Sequence, residues 1–124
     1  MAKVIHVGIH KIKSDAPEQA VRDLDDRIIA FKDQIPGVLY SYSGPFVYFP
    51  YPQEIVETYN ISPDVRPMAR GYNHGLYVVF ADENARWQYD KARPHLDVAP
   101  YLIPLLEGGM DGVLTFDFVL PDNV

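Results

Sequence analysis

The order of alternating and helical segments predicts an α+β chain of ferredoxin-like type, β-α-β-β-α-β. Three observations carry that reading. Residues 3–12, Tyr72 to Phe80 and Leu114 to Leu120 alternate with a period of two, as strands do. Val21, Leu24, Ile28, Phe31 and Ile35 recur at steps of three and four, the stripe of a one-faced helix. Each main helical stretch lies between strands, so a split β-α-β unit is used twice.

In chain order, Ile5, Val7 and Ile9 share one parity of the first strand, and Val4, His6, Gly8, His10 and Ile12 the other. Apolar residues on both faces mark a central strand, or one with a second layer behind it. Ser14 or Asp15 offers an N-cap to the first helix, Pro17 suits its first turn, and Pro36-Gly37 stops it. Val38 to Tyr42 reads as a short strand broken by Gly44-Pro45. A long insertion is expected at about 44–70, rich in proline and aromatic residues, with a helical turn near Glu54 to Tyr59. Its aromatic content predicts an ordered flap, with Tyr40, Tyr42, Tyr48, Tyr51 and Tyr59 in flap and pocket wall. Asp82 is an N-cap for a second helix over Glu83 to Ala92, with acidic Glu83 in its first turn. Pro94, Pro100 and Pro104 break the stretch that follows, and Gly108-Gly109 and Gly112 turn the chain into its last strand.

A chain of 124 residues is expected to form one domain, 1–124. Seventeen acidic residues against 11 scattered basic ones, a net charge of −6, argue against nucleic acid and anionic membranes as partners. The absence of cysteine excludes disulfides and thiol catalysis. Met1 to His6 lack the pattern of a signal peptide, and no apolar run reaches the ~20 residues of a membrane helix. A cytoplasmic protein is expected.

Such a sheet carries helices on one face. Val4, Ile12, Tyr77, Val79 and Val113 are expected on the other, where they would leave an apolar patch. Two sheets packed about a two-fold axis would cover it, so a homodimer is expected, a dimeric α/β barrel.

Chemistry concentrates between Gly71 and His95. Tyr72, His74, Leu76, Val78 and Phe80 share one strand face, which carries apolar residues and so faces a core, with His74 at its rim. Tyr89 and His95 lie six residues apart near the end of the second helix, where a phenol and imidazoles would share an apolar cleft. No phosphate loop, nucleophile elbow or paired carboxylates on a helix are present, and no His-x-His or His-x-x-x-His pair on one element has the carboxylate support of a metal site. An enzyme of this sequence would work by acid–base chemistry without a cofactor.

Val-Ile-His-Val near the N-terminus, Ile-Pro-Gly-Val after the first helix, Arg-Gly-Tyr-Asn-His before the third strand and Leu-Thr-Phe-Asp-Phe at the end resemble the stress-responsive dimeric α/β-barrel (Dabb) family. The resemblance covers nearly the whole chain except Phe46 to Pro67, where this chain is longer. The family includes plant stress proteins, a plant hydroxynitrile lyase and a plant polyketide (olivetolic acid) cyclase. The resemblance to the cyclase implies a small apolar or aromatic ligand, His95 and Tyr89 as catalytic groups, and His6 and His74 in substrate binding. The common His-Pro-Ala-His motif stands here as Ala92-Arg93-Pro94-His95, and the first-helix tyrosine of the lyase and cyclase as Ile28.

In that reading His95 is the general base and Tyr89 donates to a carbonyl oxygen as charge builds on it. Tyr72, Phe31 and Trp87 are expected to help form the binding site, and His10 to lie at the surface. Two other readings stay open: a non-catalytic stress-responsive or ligand-binding dimer, and a cofactor-free monooxygenase or isomerase on the same barrel.

Overall fold

The computed structural model of the chain describes residues 2–123. Its strands are β1 (Lys3–His10), β2 (Val38–Pro45), β3 (His74–Phe80) and β4 (Val113–Leu120). They form one antiparallel sheet in the order β2-β3-β1-β4, with β1 hydrogen-bonded to both β3 and β4. The helices are α1 (Glu18–Ile29), α2 (Phe31–Gln34), α3 (Gln53–Tyr59), α4 (Glu83–Tyr89), α5 (Arg93–Leu96) and α6 (Ala99–Leu102). This is the α+β, ferredoxin-like order that the periodicities predict.

The first helical stripe is the heart of the core. Leu24, Ile28, Phe31 and Ile35 are all buried, packed with Val78 and Phe80 of β3 and with Tyr89. The helix begins later than expected: Pro17 is the N-cap residue and no side chain caps it, so neither Ser14 nor Asp15 has that role. It also breaks at Ala30 and resumes as α2. Ser41 of β2 takes up backbone groups at the break, donating to the Ile29 carbonyl (2.9 Å) and accepting from the Lys32 amide (3.2 Å). Asp82 does cap α4, its carboxylate accepting from the Ala85 amide at 2.8 Å.

Which sheet face meets the helices differs from expectation on two strands. Val4 and Ile12 are buried in the core and Val113 packs against it, rather than lying on the far face; Tyr77 and Val79 do lie on that far face. The helix side of β1 is therefore the histidine side, Val4, His6, Gly8 and His10, each buried, and only Ile5, Val7 and Ile9 face outward. On β4 the register sets Thr115 and Asp117 beside Gly8 and His6, so Leu114, Phe116 and Phe118 point to the bare face. Histidines can hold the inner face because their polar atoms find partners there.

The segment from 46 to 70 holds no buried residue. It carries α3 and a 3₁₀ turn at Arg66–Ala69, and its stem is closed by the Phe46 amide donating to the Asn73 carbonyl at 2.9 Å. Past β1, backbone bonds from Lys13 to Leu105, Glu107 to Lys11 and Lys11 to Gly112 tie the C-terminal segment over the strand end. No helix among the described residues is long and apolar enough to cross a membrane.

Candidate active site between sheet and helices

Where β1 passes beneath the helices, Gly8 leaves room between His6 and His10. A cavity of about 160 Å³ fills that room, floored by β1 with Leu76 and Thr115, and walled by Ile28, Phe31, Tyr89 and His95. Met110, 62% exposed, lines it too and marks its mouth.

Tyr89 ends α4 on its buried side. Its ring meets Phe80 and Phe31 edge-on, with centres 5.0 and 5.7 Å apart, and lies 4.3 Å from the ring of His95. The hydroxyl makes no hydrogen bond among the described residues. No fully buried polar side-chain atom there lacks a partner, so the hydroxyl opens on the cavity. Burial pushes the phenol well above its usual pKa, only partly offset by Arg86. Tyr89 is thus a protonated donor.

His95 is brought back to Tyr89 by the helix break. α4 stops, the Ala92 amide bonds the Tyr89 carbonyl at 3.1 Å, and Pro94 sits in the first turn of α5. His95 Nδ1 lies 3.2 Å from the Asp90 carbonyl oxygen. A carbonyl only accepts, so Nδ1 carries a proton, and in the neutral ring Nε2 keeps its lone pair.

His6 is held in the same manner. Its Nδ1 donates to Asp117 Oδ1 at 2.7 Å, and the same oxygen accepts from Arg86 Nε at 3.0 Å. Burial lowers the pKa of His6, outweighing the pull of Asp117. Burial opposes ionisation of Asp117, but the hydrogen bonds from Arg86 and His6 prevail and hold its carboxyl below the usual range.

Beneath the cavity floor runs a buried chain of polar groups. His10 Nδ1 lies 2.8 Å from His74 Nδ1, His74 Nε2 lies 2.7 Å from Asp25 Oδ1, and Ser43 Oγ donates to that oxygen at 2.6 Å. His10 is 1% and His74 2% exposed, which places His10 in the core rather than at the surface. Burial, then His74, push the pKa of His10 down to about 4, with Asp25 acting against them.

The structure thus brings His6, Phe31, Tyr89 and His95 to one cavity. His74 stands behind His10 and does not line it. Tyr72 precedes β3, beyond the turn at Gly71, with the Lys11 ammonium 4.9 Å above its ring. Trp87 is 63% exposed: α4 buries Ala85 and Tyr89, and Trp87, midway between them, faces outward and donates to Glu83 at 3.4 Å. None of Tyr40, Tyr42, Tyr48, Tyr51 and Tyr59 lines the cavity. His10, Thr115, Asp25 and Asp117 were not expected. Parity signals His10, which shares a strand face with His6, and helical spacing signals Asp25, four residues after Val21 and three before Ile28 on the buried stripe.

No protein-family model and no curated protein matches the chain. Solved structures do. A dimeric ferredoxin-like protein of unknown function from Jannaschia sp. CCS1 matches at TM-score 0.70 and 16% identity, over 94% of this chain and 97% of its own. A hydroxynitrile lyase from Passiflora edulis matches at 0.69 and 14%, over 97% and 94%. A Dabb family protein with a ferredoxin-like fold from Mesorhizobium loti matches at 0.58 and 16%, over 98% of each chain. SnoaB, a cofactor-independent oxygenase from Streptomyces nogalater, matches in a mutant form at 0.57 and 15%, over 94% and 90%. The fold is ferredoxin-like. At these identities the likeness extends to the fold alone.

Proposed function

We propose that the chain is a cofactor-free acid–base enzyme, a lyase or cyclase acting on a small carbonyl compound in the cavity between sheet and helices. One observation carries the reading: Tyr89 and His95, with rings 4.3 Å apart, wall one largely apolar cavity. His95 Nε2 takes a proton from the carbon next to the substrate carbonyl, and the electron pair moves to the carbonyl oxygen. The Tyr89 hydroxyl donates a hydrogen bond to that oxygen as it gains charge. In the cyclase direction the enolate carbon attacks a second carbonyl, and the alkoxide formed takes the proton from His95. In the lyase direction His95 takes a hydroxyl proton instead, that oxygen's electron pair forms a carbonyl as the carbon–carbon bond breaks, and the departing carbanion receives the proton from His95. His6, oriented by Asp117, positions the substrate.

A volume of about 160 Å³ resembles a cavity that takes benzene, so a compact substrate suits it better than a long polyketide chain. That small volume also favours the second reading, a non-catalytic dimer binding a small ligand. The bare sheet face and the dimeric neighbours support a homodimer. The test is turnover across small cyanohydrins and β-keto compounds. His95→Ala is expected to lower kcat by roughly 10²-fold or more with the fold retained, and full activity in that variant rejects the mechanism.

A further inference from the structure

We propose that His10 is a second proton acceptor of the cavity, facing it with Nε2 and backed by a relay through His74 to Asp25. The proposal rests on the cavity reading above but assigns it a base that acts from the floor, opposite His95.

With His74 neutral, the hydrogen-bond chain sets the tautomers. Ser43 and His74 both bond one oxygen of Asp25, at 2.6 and 2.7 Å, so Asp25 is an ionised acceptor and His74 Nε2 bears a proton. In a neutral His74, Nδ1 can then only accept. The proton in the 2.8 Å contact therefore belongs to His10 Nδ1, and His10 Nε2 is left with its lone pair. That nitrogen makes no hydrogen bond among the described residues, and no fully buried polar atom there is unpartnered, so it opens on the cavity. Gly8 makes this possible: a Cβ at that position would stand 3.5 Å from His10 Nε2 and 3.3 Å from Leu76 Cγ.

The relay gives the proton somewhere to go. When His10 Nε2 accepts a proton from the substrate carbon, the carbon keeps the electron pair. His10 then passes its Nδ1 proton to His74 Nδ1. His10 is neutral again, and the positive charge rests on His74 against the Asp25 carboxylate. Without that transfer the charge would stay on His10, where burial opposes it. His74 and Asp25 in turn line an open groove of about 430 Å³ beside Lys13, Glu18 and Arg22, through which the relay exchanges protons with solvent. On the cavity side His10 is faced by His6, Tyr89 and His95.

Histidine nitrogen NMR of the full chain tests the relay without any known substrate. The expected result is an unprotonated His10 Nε2 near neutral pH, and acid titration in which both rings respond with one midpoint. Asp25→Asn should move that midpoint down by about a unit or more, because the charge on His74 loses its partner. A protonated His10 Nε2 near neutral pH, or two rings titrating independently, overturns the proposal.

Exchange of the acidic carbon-bound protons of acetylacetone in heavy water then separates the two readings. His10→Gln should slow kcat for exchange roughly tenfold with KM unchanged. Asp25→Asn should lower the plateau and shift the acid limb of the pH profile downward. If His10→Gln exchanges at the wild-type rate, His10 is not a proton acceptor. Wild type with no exchange rejects the enzyme reading, and the NMR result alone then decides the relay.

Discussion

Tyr89 and His95 are positioned by different forces, and their variants should differ accordingly. The Tyr89 ring is fixed by three aromatic neighbours while its hydroxyl bonds to no described residue. Tyr89→Phe should therefore leave unfolding free energy within about 1 kcal/mol of wild type, and lower kcat roughly tenfold or more if the hydroxyl stabilises an oxyanion. Thermal melts paired with kinetics check both. His10 makes a separate prediction. It is buried and neutral, with a pKa near 4 against 6.5 for the free side chain. The unfolded chain binds the proton first, so this contribution to stability is complete above pH 6.5 and is lost as pH falls towards 4, by up to about 3 kcal/mol. Melting temperatures across that window should fall, and fall less in His10→Gln. Both histidines of β1 were open to a period-two reading, since residues 6 and 10 share a face. What no single stretch shows is that Asp25, 49 positions from His74, supplies the partner that makes a buried histidine pair tolerable.

At the level of elements, α1 and α2 each give the cavity one wall residue, Ile28 and Phe31, and their stripe was readable from the spacing of Val21 to Ile35. Leu24→Ala removes a side chain with no exposed surface and should cost about 2–5 kcal/mol in denaturant unfolding. The break at Ala30 was not readable, because it depends on Ser41 of another element supplying the hydrogen bonds. The insertion shows the opposite balance. Its length and aromatic content were plain, but its placement was not, since sheet register brings its two ends together at Phe46 and Asn73. Residues 47–70 include no fully buried residue and line no part of the cavity. Replacing them with a short Gly-Ser turn should leave the circular dichroism spectrum of the sheet and helices intact. Loss of cooperative unfolding in that variant would contradict this account of the segment.

The whole molecule has one covered sheet face and one bare one. Tyr42 is 47%, Leu114 48% and Phe118 56% exposed on the bare side, and Phe46 and Val47 of the insertion border the same apolar depression with Ile5 and Val7. A patch of this character calls for a partner, and a second copy presents the same surface. Phe118→Arg should convert a dimer to monomers in sedimentation velocity, and a wild-type monomer at micromolar concentration would reject the barrel. Apolar alternation alone did not say which face of β1 and β4 the helices would choose. The chosen side is the one on which His6 finds Asp117 and the buried His10 finds His74. The central claim is that the enclosed cavity moves protons on carbon. Its most direct test is solvent exchange at the acidic carbon of acetylacetone, followed by NMR in heavy water, for wild type and His95→Ala. Exchange in wild type that drops roughly 10²-fold in the folded variant is the predicted result; equal rates in the two proteins, or none in either, would contradict it.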